Sequence, residues 1–299
     1  MNETASARNK VLCLGRTYCD IIFTGLPEMP MLGRERFADG VTITAGGGAY
    51  ITAAHLASLG RPTALLTRLG TDPLSHSLDP EFEASGIDLS FVERSNDAGP
   101  QPTVALIKDG ERAFVSRRAG VSRPATLEQA LAAPGIRHLH IAEFATLKDS
   151  PDVVAMARDQ GLTVSLDPSW DDHLIRTDSG FFEACRGIDV FLPNLEEGQA
   201  LTGERSLEGV LSVLREHFPL VVLKLGDQGA VAAGSERLSA NALAVDVVDT
   251  TGAGDAFNAG FLHAWLQTCD LRESLESGIK SGALSVQSAG GAPRMRRSG

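Results

Sequence analysis

Cysteine is scarce. Cys13, Cys19, Cys185 and Cys269 are all the chain carries, and no two of them form a C-x-x-C pair or a zinc-like spacing. That excludes a disulfide framework and a cysteine-built metal centre, and it predicts reduced, mostly buried thiols in a cytoplasmic protein. Positive charge is short as well: 27 Lys and Arg stand against 38 Asp and Glu, for a net charge of −11. A nucleic-acid backbone demands a concentrated positive surface, so that class of partner is excluded, while a local basic pocket for a small anion is not. No apolar run approaches the roughly 20 residues of a membrane helix, which excludes a membrane partner of that kind. The start, "MNETASARNK", has no apolar signal core and reads as a frayed tail. Histidines are few and scattered; His138 and His140 alternate on one run, where a packed strand explains them better than a metal pair does.

What is present is an ordinary globular balance, 43% hydrophobic and 22% charged, in a 299-residue chain long enough to bury a large core unaided. Apolar strand-like runs alternate with helical ones. "KVLCLG", "PTALLTRLG", "IRHLHIAEF", "LTVSLDP", "DVFLPN" and "LVVLKLG" read as buried strands. "TAAHLASLG", ending at Gly60, and "SLEGVLSVLREHF" have helical spacing. So has "SPDVVAMARDQG", with Ser150 as N-cap, Pro151 at N1 and Gly161 just past the end. Strands alternating with helices predict an α/β domain with a mainly parallel sheet covered on both faces. Two stretches break the rhythm, 18–44 and 90–118, with short alternating runs and a hairpin signal at Asp109-Gly110. They read as antiparallel strands inserted into the core (10–17, 45–89 and 119–293) as a small β lid, with tails at 1–9 and 294–299.

The densest chemistry lies late, in "VVDTTGAGDAFNAGF" from Val247 to Phe261. A strand-like "LAVDVVD" leads into Gly252, Ala253 and Gly254, and a helix follows with Phe257, Phe261, Ala264 and Trp265 on one side. Glycines at a helix N-terminus leave free N–H groups at the positive end of the helix dipole, an anion site. A tight turn accounts for the glycines but leaves Asp255 unexplained, since a carboxylate repels an anion placed beside it. A general base for phosphoryl transfer accounts for both: it takes a hydroxyl proton while backbone amides neutralise the charge that develops. The dinucleotide alternative fails because Phe257 stands where G-x-G-x-x-G needs its third glycine, and no G-x-x-x-x-G-K-[ST] loop occurs.

"DTTGAGDAF" resembles the C-terminal signature of the ribokinase-like (PfkB) carbohydrate kinases, and the likeness extends from about Lys10 to Pro293. It implies a three-layer α/β/α domain with a small antiparallel lid, and an ATP- and Mg2+-dependent phosphotransferase acting on a small carbohydrate. Asp255 is then the base and Gly252, Ala253 and Gly254 the anion hole. "GRTYCD" resembles the family's first-strand motif and makes Asp20 a ligand of sugar hydroxyls. "AGGGAYITAAHLASLG" resembles its glycine-rich signature, with Gly46 and Gly47 against the substrate and Ile51 where an asparagine is common. "NLEE" matches N-x-x-E, assigning Asn194 to the nucleotide side and Glu197 to Mg2+ through water. "LKLGDQGA" resembles the nucleotide loop of Gly226 and Gly229, with Lys224 read either as a strand-end surface lysine or as a contact to ATP phosphates.

Three departures bear on the substrate: Ile51, Trp170 in "LDPSW" where relatives carry an arginine, and Ile279 near the adenine side. Arg34, Arg36, Arg117 and Arg118 read as solvated lid charges or as partners of an anionic substrate tail. Asp249 and Thr251 are candidate K+ ligands, or Asp249 caps the turn. A nucleoside kinase, using Trp170 and Tyr50 against a base, and a silent sugar or nucleotide sensor are the alternatives. The open edges of the lid suggest a homodimer formed through it.

Overall fold

In a computed structural model describing residues 9–108, 111–118, 120–171, 180–288 and 290–293, the apolar runs become strands of one twisted sheet. In chain order the strands are β1 (Lys10–Leu14), β2 (Tyr18–Thr24), β3 (Gly40–Gly46), β4 (Thr63–Leu66), β5 (Arg68–Leu69), β6 (Glu93–Arg94) and β7 (Gln101–Lys108). They continue as β8 (Glu111–Ser116), β9 (Ile136–Ile141), β10 (Thr163–Leu166), β11 (Val190–Phe191), β12 (Leu220–Lys224), β13 (Ala230–Ala233) and β14 (Arg237–Ala240). The helices are α1 (Gly48–Ser58), α2 (Pro73–Ser77), α3 (Asp79–Ala84), α4 (Leu127–Leu131), α5 (Phe144–Asp149) and α6 (Val153–Asp159). After them come α7 (Phe181–Ala184), α8 (Leu195–Thr202), α9 (Leu207–His217), α10 (Ala253–Thr268) and α11 (Leu271–Ser285).

The main sheet has the order β14-β13-β12-β11-β10-β9-β1-β4. Neighbours from β4 to β12 pair in parallel, and β13 and β14 turn back antiparallel at one edge. Except for edge strand β14, its strands are largely buried on both faces, as their Val-, Leu- and Ala-rich content demands. One face packs against α4, α5, α6, α7 and α9 through Leu127, Leu147, Val153, Phe181 and Leu214. The other packs against α1, α10 and α11 through Ala53, Leu56, Phe261 and Leu275. Between α10 and α11 the backbones nearly touch: Ser277 Oγ donates to Gly260 O at 2.8 Å, which a side chain at 260 would prevent.

The inserted segments form a second sheet of order β3-β2-β7-β8. Two antiparallel pairs, β2–β3 and β7–β8, are joined by a parallel seam between β2 and β7. β3 runs on to Gly46, and the strand Glu93–Arg94 pairs with Arg68–Leu69 beside the core. The register Lys108↔Glu111 calls for a two-residue connection; Asp109-Gly110 itself lies outside the described residues, as do 1–8 and 294–299 of the tails.

Two local expectations are corrected. The run Leu243–Asp249 is no strand: among the described residues it joins no ladder, Leu243, Val247 and Val248 are exposed, and the N–H groups of Val248 and Asp249 donate to Val286 O just past α11. The helix expected to start at Ser150 starts at Val153, because Ser150 N–H closes the preceding helix on Thr146 O and Leu147 O. Gly161, at φ 73, ends it as expected. His138 and His140 are fully buried and bond across to Thr163 and Ser165 on β10; burial pushes them down to about 3 and about 4. They are packed neutral strand residues.

Candidate active site

Parallel strands deliver their following residues to one edge of the sheet, and a crevice forms beyond their carboxyl ends. Here four consecutive neighbours each contribute a polar residue at or just past that end. β9 leads to Glu143, β10 to Asp167, β11 to Asn194, and β12 ends on Lys224. The first residues of α10 meet them from the opposite face, bringing Asp255.

Gly252 is the N-cap residue of α10, at φ 70, a left-handed conformation in which glycine is unstrained. The N–H groups of the next residues open α10 with no side-chain cap. Asp255 sits in this first turn and is half-buried. Among the described residues its carboxylate accepts no hydrogen bond. Burial pushes it up, Asp167 and Glu197 add repulsion and Lys224 opposes them, leaving it at about 7. That is the poise of a general base working near neutrality.

Lys224 is no surface lysine. Its side chain is 12% exposed, its Nζ donates to Asp167 Oδ2 at 2.6 Å and to Asn258 Oδ1 at 3.3 Å, and it lies 3.4 Å from where a Cβ on Gly254 would stand. Burial alone would lower its pKa; Asp167 and Glu197 outweigh that and hold it raised. Asp167, buried but paired with Lys224 and bonded by Asn258 Nδ2, stays below the ordinary carboxylate range. Glu197 lacks such a partner, and burial with Asp167 nearby raises it to about 7.

The glycine-rich turn adjoins Asp255. Asp20, on β2, lies so close to Gly46 that any side chain there would collide with its carboxylate. Gly47 is at φ 91 with Arg16 O in the place of a side chain. A Cβ on Gly48 would stand 2.9 Å from Asp255 Oδ1. The turn 46–48 is therefore flanked by two carboxylates, Asp20 from the lid and Asp255 from the core. Burial and Glu81 raise Asp20 to about 6. Ile51 points elsewhere: it is buried, with its Cδ1 against Gly291.

The remaining sequence-assigned residues have local structural duties. Asn194 Oδ1 accepts from Glu197 N–H, and Glu197 Oε2 accepts from Asn194 N–H, both at 2.8 Å, so the N-x-x-E motif closes a capping box at the start of α8. Gly226, at φ 63, and Gly229, at φ 95, shape the turn after β12, and Gly229 has Ala240 and Ala242 backbone where a side chain would go. Asp249 Oδ1 accepts from Thr251 N–H at 2.7 Å and its Oδ2 from Gly290 N–H at 3.1 Å, an Asx turn tied to the C-terminal loop.

Several site residues escaped the sequence reading. Glu143 takes Arg16 Nη1 at 2.9 Å and Tyr18 Oη at 3.3 Å, linking core to lid. Glu81 accepts from Ala45 N–H at 2.8 Å and from Thr44 and Tyr50 hydroxyls, pinning the end of β3 to the core. Asp167, the anchor of Lys224, and Asn258 complete the set. The signal available was an acid one or two residues past a buried strand, as in "SLD" and "HIAE". Of the lid arginines, Arg36 pairs with Glu28 and Arg118 with Asp171 across to the core.

Two carboxylates, a buried ammonium and a helix N-terminus thus converge at the edge of a parallel sheet closed by a β lid, a ribokinase-type architecture. A ribokinase from Arabidopsis thaliana, solved with ribose and ATP, superimposes with a TM-score of 0.81 over 94% of this chain and 93% of its own, at 24% identity. A putative ribokinase II from E. coli, solved with ATP and Mg2+, gives 0.80 over 95% and 94% at 20% identity. The chain also matches the pfkB family carbohydrate kinases over residues 8–296 and belongs to that family. Relatives include a 2-dehydro-3-deoxygluconokinase of Bacillus subtilis, 31% identical over 80% of this chain and 79% of that one. An ATP-dependent ribose-1-phosphate kinase of Halopiger xanaduensis is 31% identical over 93% and 92%. The family's members are kinases, phosphotransferases with an alcohol group as acceptor.

Proposed function

We propose that the protein is an ATP-dependent sugar kinase that moves the γ-phosphoryl group of Mg-ATP to a hydroxyl of a small carbohydrate. The observation that carries this reading is Asp255: a carboxylate near pKa 7 that accepts no hydrogen bond from the described residues, in the first turn of a helix and against the glycine turn that Asp20 flanks. Asp20 accepts hydrogen bonds from sugar hydroxyls and orients the acceptor. The acceptor oxygen attacks the γ-phosphorus, its proton passes to Asp255, and the bond to the ADP oxygen breaks. The N–H groups around Gly252–Gly254 take up charge on the transferring oxygens, with Lys224 Nζ beside them.

The donor set suits Mg2+. Asp167, Glu197 and Asp255 share one region with a single ammonium, leaving an excess of negative charge, and Glu197 is 3% exposed. Among the described residues no three His, Cys, Asp or Glu side chains converge on one point, which suits an ion held mostly by phosphate and water. Glu197 would hold it through water, and the bound ion supplies charge neutralisation to the phosphates. The K+ reading of Asp249 and Thr251 competes with the Asx turn, which explains Asp249 without a cation. The homodimer reading rests on the lid sheet, where Val41 and Ile43 on edge strand β3 stand 60% and 47% exposed and Val115 on the opposite edge strand β8 stands 71% exposed.

ATP consumption is to be measured with ribose, fructose, 2-dehydro-3-deoxygluconate, ribose-1-phosphate, sulfosugars and nucleosides, each with and without potassium. Turnover of a sugar by the wild type, lost in Asp255→Asn with ATP binding retained, is the expected result. Near-normal turnover by that variant refutes the assignment. Turnover of nucleosides alone favours a nucleoside kinase. Ligand-dependent melting shifts without ATP consumption favour a sensor. A sedimentation mass of two chains, reduced to one by Ile43→Asp, is expected for the lid dimer; a wild-type monomer refutes it.

A further inference from the structure

Helix α1 grips the catalytic turn at more than its first residue. Thr52 Oγ1 reaches Asp255 O at 3.4 Å. Ile51 Cδ1 stands 2.6 Å from where a Cβ on Gly291 would lie, so that glycine has no room for a side chain on this face. One turn along, His55 Nε2 bonds Gly291 O at 2.9 Å. A carbonyl oxygen only accepts, so Nε2 carries the proton and donates. Residues four apart share one side of a helix, so Ile51 and His55 hold the same glycine together.

Gly291 in turn bears on the anion hole. A Cβ on Gly252 would stand 2.6 Å from Gly291 Cα and 3.1 Å from Gly291 O. Gly252 thus rests on the backbone that His55 fixes, and it opens α10 three residues before Asp255. We propose that His55 is a positioning residue for phosphoryl transfer, setting Gly252 and the N–H groups that follow it by holding Gly291 in place. The inference rests on reading Gly252–Gly254 as the anion hole. His55 touches neither the acceptor nor the phosphates. Its effect is geometric: oxyanion donors must lie within about 2.7–3.1 Å of the developing charge, and a displacement of about 1 Å can cost on the order of a hundredfold in rate. Burial pushes the His55 imidazole down, so the ring is the neutral donor that the carbonyl needs.

The test compares His55→Gln, which keeps an N–H donor close to the Nε2 position, with His55→Leu, which keeps the bulk and loses the donor. For His55→Leu, kcat is expected to fall about tenfold or more, with KM for ATP and for the sugar nearly unchanged. His55→Gln is expected to recover most of that kcat. A histidine that only fills space would lower Tm and leave kcat per folded molecule untouched; that result overturns the proposal, as does an equal loss in both variants. Should His55→Leu not fold, Gly291→Ala serves instead, because its Cβ would meet Ile51 Cδ1 at 2.6 Å and press on Gly252 Cα at 3.3 Å. The same loss of kcat is expected there, and full kcat overturns the proposal. Asp255→Asn, run alongside, separates the readings: if it is inactive while His55→Leu turns over normally, only the clamp fails, whereas an active Asp255→Asn sinks the chemistry itself.

Discussion

Replacing Asp255 by asparagine should abolish turnover and, at the same time, make the protein more stable. The carboxyl is moved from its ordinary 3.8 to about 7 by burial and by Asp167 and Glu197. A carboxyl whose folded pKa is raised binds its proton more tightly in the native state. Its contribution is therefore most favourable below the unfolded pKa and is lost as pH rises through the folded one. About three units at 1.36 kcal/mol each give about 4 kcal/mol when Asp255 is fully ionised, and its solvent-facing side reduces this to about 1–3 kcal/mol. Asparagine has the same shape and no charge. For a chain of this length about 2 °C of Tm accompanies each kcal/mol, so Asp255→Asn should melt about 2–6 °C higher at pH 8. The gap should narrow as the pH is lowered from 8 to 5, since the wild-type cost builds up between about 4 and about 7. Thermal melts of both proteins across this range, beside their turnover, decide the matter. A gap that does not grow with pH, or a variant that melts lower throughout, refutes the electrostatic account of the site. The expected pattern, stability given up where chemistry needs it, is common at active sites.

Further outcomes follow from the same geometry. Loss of activity on acidification should show an acid limb near pH 7, and Lys224→Met should move it to higher pH, because the ammonium favours the ionised Asp255; the pH dependence of kcat/KM checks this. That variant should also lose about 3–5 kcal/mol of stability in denaturant titrations, since Asp167 is left buried without its partner. Gly47→Ala should lose stability by about 1–3 kcal/mol, because a side chain at φ 91 is strained and would meet Arg16 O. The melting temperature checks this, and sugar KM should rise in the same variant.

Much of the site was legible where the signal is local. The glycines of "TTGAGDAF" and "AGGGAY" mark backbone that side chains cannot occupy, and Gly47 and Gly252 do hold left-handed conformations. Asp255 follows the first of these turns directly, and the fold sets it against Gly48 of the second. Lys224 was harder: from sequence it ends a strand and has no visible partner, while in the fold it is enclosed by Asp167, 57 positions away, and Asn258, 34 positions away. Asn194 and Glu197 carried a family motif, yet what binds them to each other is a helix cap. "LAVDVVD" has strand-like composition, but the N–H groups of Val248 and Asp249 bond Val286 O just past the end of α11 and not a neighbouring strand.

The sequence by itself determined the apolar period of each strand, the positions where only glycine fits and the acid that directly follows the glycines of a helix N-terminus. These depend on sterics and hydrogen bonding among residues a few positions apart. The tertiary structure alone decided that Asp20, Gly48 and Asp255 meet, that Lys224 lies beside Gly254, and that His55 reaches Gly291 across 236 positions. Such meetings arise from the order in which parallel strands pack and from the faces their helices cover, and no short stretch of chain carries that information.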